Sequence, residues 1–171
     1  MHDGQQVSLV KSTNNIVPRT ETELEVFLIK PAMLTWSLLT VGLLLSFYAV
    51  KRKLRIYWFD AVYFSVLGLI GWIVFLLWFY TDHVATKDNL NLIWAVPFYL
   101  PLFLFWNRLA LTVKKWVILI FGGIDLLIII FWFVFPQNFH HAFIPLILLV
   151  LLRFAFLLKS SKKDGEQLKN T

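Results

Sequence analysis

Between Phe59 and Tyr80 the chain runs for 22 residues with a single charged side chain, Asp60. At 1.5 Å per residue such a helix is long enough to cross a hydrocarbon core of about 30 Å. Four further apolar stretches become visible when charges are read as punctuation. Met33–Val50 is closed by Lys51, Arg52, Lys53 and Arg55. Leu92–Trp106 is short and carries Pro97 and Pro101. Val117–Phe135 is ended by Pro136, and Ala142–Leu158 follows His140-His141 and leads into a charged tail. These stretches predict an all-α, polytopic membrane bundle of five transmembrane helices.

Composition closes off the other classes. Apolar residues make up 59% of the chain and charged residues 15%, and mean hydropathy is +0.72. A soluble domain of this size needs a largely polar surface, which excludes a soluble enzyme, a disordered tail and a nucleic-acid binder. The chain has no cysteine, so disulfides, thiolate metal sites and thiol nucleophiles are excluded from it. The net charge of +6 is read as cytoplasmic loop chemistry, not as an anionic macromolecular partner.

The distribution of cations sets the expected orientation. With the start outside and one crossing per stretch, the inside segments hold eleven cations: Lys51, Arg52, Lys53, Arg55, Arg108, Lys114, Lys115, Lys159, Lys162, Lys163 and Lys169. The outside segments hold four, Lys11, Arg19, Lys30 and Lys87, together with six acids. The bias alternates correctly at each loop and predicts N-out/C-in. A re-entrant hairpin over Leu92–Trp106 would break that alternation twice, so this short stretch is read as a true span with Arg108 snorkelling. Residues 1–30 lack a basic region followed by an apolar one, and Gln5–Glu25 reads as a polar connector. Residues 31–158 form the expected membrane domain, and 159–171 a cytoplasmic basic tail. Tyr57, Trp58, Trp78, Tyr80, Trp94, Trp106, Trp116 and Trp132 lie near span ends and are expected in the headgroup zone.

Four features could carry chemistry. The outer loop and its flanks gather Trp78, Thr81, Asp82, His83, Thr86, Asn89, Asn91, Trp94 and Pro97. Asp82-His83 supplies the pieces of a general base, whereas the Asn and Thr side chains also suit simple capping of two helix ends. His140 and His141 lie on the same face, and with His83 they are weak candidates for a metal shell of no recognised spacing. Asp125, in the middle of the fourth span, needs a partner in so poor a solvent. Arg153 on the fifth span is the expected one, either as a register-fixing pair or as part of a proton or ion path. Asp60 is expected at the start of span two, favoured there by the helix dipole and the 51–55 cations.

The run Trp58-Phe59-Asp60-Ala61, Gly68, Gly71, Leu77-Trp78-Phe79, Thr81-Asp82-His83, Thr86, Asn89, Asn91, Trp94-Ala95 and Pro97 resembles a known family. It is similar to the membrane domain at the C-terminus of the Lnb-type lipoprotein N-acyltransferases of Bacteroidota, in which a periplasmic papain-like domain precedes the helices. The resemblance implies that residues 1–30 are the linker between the two. It also assigns the family's chemistry to a cysteine and a histidine in the periplasmic domain, and this chain has no cysteine. What carries over is support: an inner-membrane anchor of a Gram-negative cell that presents phospholipid or lipoprotein to a periplasmic acylating domain, without catalysis or cofactor of its own. Two other readings stay open. One is an interfacial hydrolase or transferase using Asp82, His83, His140 and His141. The other is a small transporter subunit using Asp125 and Arg153.

Overall fold

The computed structural model describes residues 31–81, 89–137 and 139–169. Five α-helices are present, α1 Pro31–Arg52, α2 Tyr57–Phe79, α3 Tyr99–Leu104, α4 Leu111–Ile130 and α5 Phe143–Lys169, and no strand occurs among the described residues. Proline starts two of them, Pro31 as the first residue of α1 and Pro145 in the first turn of α5, where its missing N–H leaves no intrahelical bond unmade. Among the described residues three helical stretches are long and apolar enough to cross a membrane: Pro31–Arg52, Tyr57–Phe79 and Phe143–Ser161. The 20 residues of α4 include Lys114, Lys115 and Asp125. Beyond Leu158 the charged tail does not leave the helix, because α5 runs on to Lys169.

Cross-contacts give the direction of each segment. On α1 and α5, Gly42 faces Leu149 and Ser46 bonds Arg153, so the two helices run parallel. On α2 the order reverses, with Asp60 on Arg153 and Tyr63 on the Leu146 carbonyl. Phe64 stacks on Phe103, and Gly71 abuts Ala95, so the third segment runs against α2. Tyr99 meets Phe121 and Asp125, and Lys114 lies over Trp106, so α4 reverses again. Five segments therefore traverse the bundle in alternating directions.

The third segment is not the continuous helix expected over Leu92–Trp106. It is a 3₁₀ turn Leu90–Ile93, an irregular stretch through Trp94–Phe98, the six-residue α3, and a second 3₁₀ turn Trp106–Arg108. Pro97 is the physical reason, since it removes a backbone donor and disfavours helix at Val96, whereas Pro101 falls in the first turn of α3, where a proline leaves no intrahelical bond unmade. Irregular backbone at membrane depth survives only where protein covers it. Trp94, Ala95, Val96 and Tyr99 are accordingly buried. Gly68 and Gly71 of α2 make that cover possible. A Cβ on Gly71 would run into the Ala95 carbonyl, and one on Gly68 into the Leu100 backbone nitrogen.

An aromatic column of Phe64, Tyr99, Phe103, Trp106, Phe121 and Phe154 fills the space between α2, the third segment, α4 and α5. Three tryptophans expected in the headgroup zone belong to the protein interior instead: Trp94, Trp106 and Trp132 are all buried. Trp58, Trp116 and Tyr80 are exposed on the surface of the bundle.

Candidate functional site

The bundle has two chemically distinct ends. At one of them α1 stops, α2 starts, the third segment stops, α4 starts and the apolar part of α5 stops. That end carries Lys51, Arg52, Lys53, Arg55, Arg108, Lys114, Lys115 and Lys159, eight of the eleven cations that the charge rule groups on one side. The opposite end carries Tyr80, Thr81, Asn89, Gln137, His140 and His141.

Just inside the basic end lies a buried ionic node. Arg153 donates from Nε to Asp60 Oδ1 at 2.5 Å and from Nη2 to Oδ2 at 3.0 Å, a bidentate fork. Its remaining nitrogen, Nη1, donates to Ser46 Oγ at 2.6 Å, and the Ser46 hydroxyl in turn donates a hydrogen bond to the Gly42 carbonyl. Phe59 and Phe156 offer ring faces at 5.6 and 5.3 Å from the guanidinium carbon. All three polar residues are at most 3% exposed. One arginine thus ties together α1, α2 and α5.

This arrangement corrects the expected pairing of Arg153 with Asp125. The guanidinium meets Asp60, three residues into α2. Asp125 lies about one turn further into the bundle, since it is Gly122 that faces Phe154 on α5. Its Oδ2 accepts from the Tyr99 hydroxyl at 3.4 Å, and its Oδ1 has no hydrogen-bond partner among the described residues. Asp60, in turn, serves as the buried counter-ion of Arg153 and not merely as a dipole partner for the 51–55 cations. A depth count from the basic end contains this signal, because Asp60 lies three residues into α2 and Arg153 five residues before Leu158, where the apolar part of α5 ends.

At the opposite end the Asn cluster is a folded cap. Asn89 Oδ1 accepts from the Asn91 backbone N–H at 3.0 Å and from Asn91 Nδ2 at 2.8 Å, starting the 3₁₀ turn. Asn91 Oδ1 accepts from the buried Trp94 indole N–H at 2.9 Å. Gln137 reaches over from beyond α4 to accept from the Leu90 N–H at 2.7 Å. Thr81 donates back to the Leu77 carbonyl, Trp78 is half-buried and stacks on Phe79, and Pro97 is half-buried against α2. His140 Nδ1 accepts from the Ala142 N–H at 3.1 Å and so shapes the entry to α5. His141 is exposed. Asp82, His83 and Thr86 lie outside the described residues. Among the described residues no three His, Cys, Asp or Glu side chains converge on a point. The structure therefore brings Asn89, Asn91 and Trp94 together, and separates Asp125 from Arg153.

Residues 21–164 match the family described as the Lnb transmembrane domain, a five-helix membrane domain. The chain belongs to this family. No curated protein and no solved structure matches it. Membership of the Lnb transmembrane family accounts for the all-helical fold and the apolar helices, and makes the chain a membrane protein. It also gives the two ends a common setting. The ionic node and the Asn89–Asn91–Trp94 cap both lie within the stretch that defines the Lnb transmembrane domain.

Proposed function

We propose that this domain is the membrane anchor of a lipoprotein N-acyltransferase system and offers lipid to a partner acylating domain, without performing the acyl transfer itself. The observation that carries the reading is the match to the Lnb transmembrane domain over residues 21–164. In this proposal the domain sits in the inner membrane of a Gram-negative cell. The Asn89–Gln137 end faces the periplasm and the basic end the cytoplasm, as the cation distribution favours.

The geometry of the periplasmic-facing end supports lipid presentation. Hydrogen bonds among Asn89, Asn91, Trp94 and Gln137 hold that end in one conformation, at little entropic expense when a ligand docks. Around it stand exposed apolar side chains, Phe79, Tyr80, Phe133 and Val134, the last two 91% and 76% exposed. A rigid polar rim beside exposed rings is suited to a phospholipid at the headgroup boundary.

The test is complementation in trans. The chain is co-expressed with a cysteine-containing periplasmic acylating domain of this family, in cells that lack lipoprotein N-acyltransferase activity. N-acylation is read by mass spectrometry of the lipoprotein N-terminal peptide. Acylation that requires both chains supports the proposal. Equal acylation from the acylating domain on an unrelated helical anchor rejects lipid presentation and leaves anchoring alone. Acylation unaffected by this chain rejects both.

A further inference from the structure

At the basic end, between the termini of α1, α2 and α5, the surface opens into a cavity of about 270 Å³. Its lining is chemically divided. Lys53, Arg55 and Lys159 supply cations, and Tyr57 and Ser160 supply hydroxyls. Val50, Leu54 and Leu157 form an apolar wall. Among the described residues the lining contains one acid, Asp60, whose charge Arg153 already meets. The described lining residues thus carry four cations, Lys53, Arg55, Arg153 and Lys159, against one carboxylate.

The polar side of the mouth is organised. Arg55 Nη1 donates to the Tyr57 hydroxyl at 3.0 Å, and that hydroxyl lies 3.4 Å from Ser160 Oγ on α5. The C-terminus of α1 adds an independent observation. Lys53 N–H bonds the Val50 carbonyl and Leu54 N–H the Ala49 carbonyl, the paired bonds of a Schellman cap. The residue that turns the chain there is Lys53, with φ of 54°, the left-handed region that glycine or asparagine ordinarily fills. A lysine in that conformation is held at a cost to stability. Among the described residues it is the one non-glycine position with positive φ, and its side chain lines the cavity. Strain that coincides with a charged cavity marks a position kept for its side chain.

We propose that this cavity binds the phosphate group of an anionic phospholipid. Phosphate is the shared chemistry of a lipid headgroup and of free inorganic phosphate, and the walls favour the lipid. Val50 and Leu54 belong to the cavity yet are each 53% exposed, and Phe47, one turn back on α1, is 70% exposed. An acyl chain leaving the cavity has an apolar helix face to follow. The volume holds a headgroup and not a whole lipid, and a basic pocket between helices at an anionic leaflet is a recurrent headgroup site. A bound headgroup would join α1, α2 and α5 above the point where Arg153 joins them. This inference is independent of the lipid-presenting role proposed for the opposite end.

The experiment uses the full chain in phosphatidylcholine nanodiscs, with added dioleoylphosphatidylglycerol, and reads bound lipid by native mass spectrometry and melting by tryptophan fluorescence. Saturable phosphatidylglycerol binding is expected, with affinity falling about fivefold for each cation removed in Lys53→Gly and Lys159→Ala. Lys53→Gly should melt at the same or a higher temperature in phosphatidylcholine alone, because glycine relieves the left-handed strain. Stability and binding then move in opposite directions, which a structural lysine would not produce. Lys115→Ala, at an exposed position of α4 outside the cavity lining, should bind as the unmodified chain does. Equal weakening by Lys115→Ala would overturn the proposal in favour of diffuse surface charge. Binding no better than to phosphatidylcholine would overturn it outright. Inorganic phosphate that raises the melting temperature as much as phosphatidylglycerol would reassign the cavity to a soluble anion and overturn the lipid.

Discussion

Arg153 on α5 and Asp60 on α2 face each other through two parallel contacts, Nε to Oδ1 at 2.5 Å and Nη2 to Oδ2 at 3.0 Å, with both side chains shielded from the surroundings. Two charges in so poor a solvent are tolerable only together, since either alone keeps its full desolvation penalty. Ser46 completes the site by taking the third guanidinium nitrogen. The node fixes the relative height of α1, α2 and α5, three helices whose apolar surfaces alone would let them slide.

The single changes Asp60→Leu and Arg153→Leu should each lower unfolding stability in detergent by about 3–5 kcal/mol, because each strands one buried charge. The double change should recover most of that loss. The same cycle run on Asp125 and Arg153 should give additive effects, since the two do not touch. Strong coupling between Asp125 and Arg153, with additivity between Asp60 and Arg153, would contradict the structure.

Asp125 should behave in the opposite way. Its carboxylate has the Tyr99 hydroxyl on one oxygen and no partner among the described residues on the other. Asp125→Asn keeps an acceptor for Tyr99 and removes a group that is expensive to bury. We expect a melting temperature equal to or above that of the unmodified chain. A loss of more than about 2 kcal/mol would be the size expected for breaking a charge-assisted hydrogen bond, and would show that the carboxylate has a partner besides Tyr99.

These two acids also show what can be read from the chain and what cannot. Hydropathy and cation spacing reveal five traversing segments, because solvent transfer acts on each stretch separately and leaves a linear trace. Partner choice among buried charges has no such trace, since Asp60 and Asp125 are equally plausible by type. Their difference is one helical turn of depth, which depends on how α2 and α4 are staggered against α5. The third segment is intermediate. Pro97 and Pro101 announce a break, but the irregular path past Ala95 depends on Gly68 and Gly71 standing opposite. Tryptophan position misleads for a related reason. Trp94, Trp106 and Trp132 are near the ends of their segments in sequence, yet neighbouring segments cover them. At the opposite end, the Asn89–Asn91 cap was legible as residue types suited to capping, whereas the reach of Gln137 to Leu90 was not.

The glycines of α2 give a prediction about that contact. Gly71→Ala and Gly68→Ala place a methyl group against backbone atoms of the third segment, which cannot rotate away as a side chain could. Each should cost about 1–3 kcal/mol by overpacking. Gly123→Ala on α4 meets nothing within 4 Å, and should be neutral or add up to about 1 kcal/mol from helix propensity. Thermal unfolding in one detergent ranks the three. Equal effects at Gly71 and Gly123 would mean that the irregular segment does not rest on α2.

The proposed orientation can be decided with the chain's own composition. It contains no cysteine, so a single introduced thiol is the only one an impermeant maleimide can label. His141 is exposed at the end that holds Asn89 and Gln137, and Lys115 is exposed at the end that holds Lys53 and Arg108. The segments alternate in direction, so these two positions report opposite faces of one membrane. Positive charge resists transfer to the outside, and eight cations gathered at the Lys115 end therefore favour a cytoplasmic location for it. His141→Cys should label in intact spheroplasts, and Lys115→Cys only after lysis. A thiol placed at Ser12 should label with His141→Cys, because the start of α1 shares its end of the bundle. The reverse pattern would put the basic end outside and would remove the periplasmic setting from the proposed function. Labelling of both His141→Cys and Lys115→Cys in intact spheroplasts would go further, and reject the alternating traverse itself.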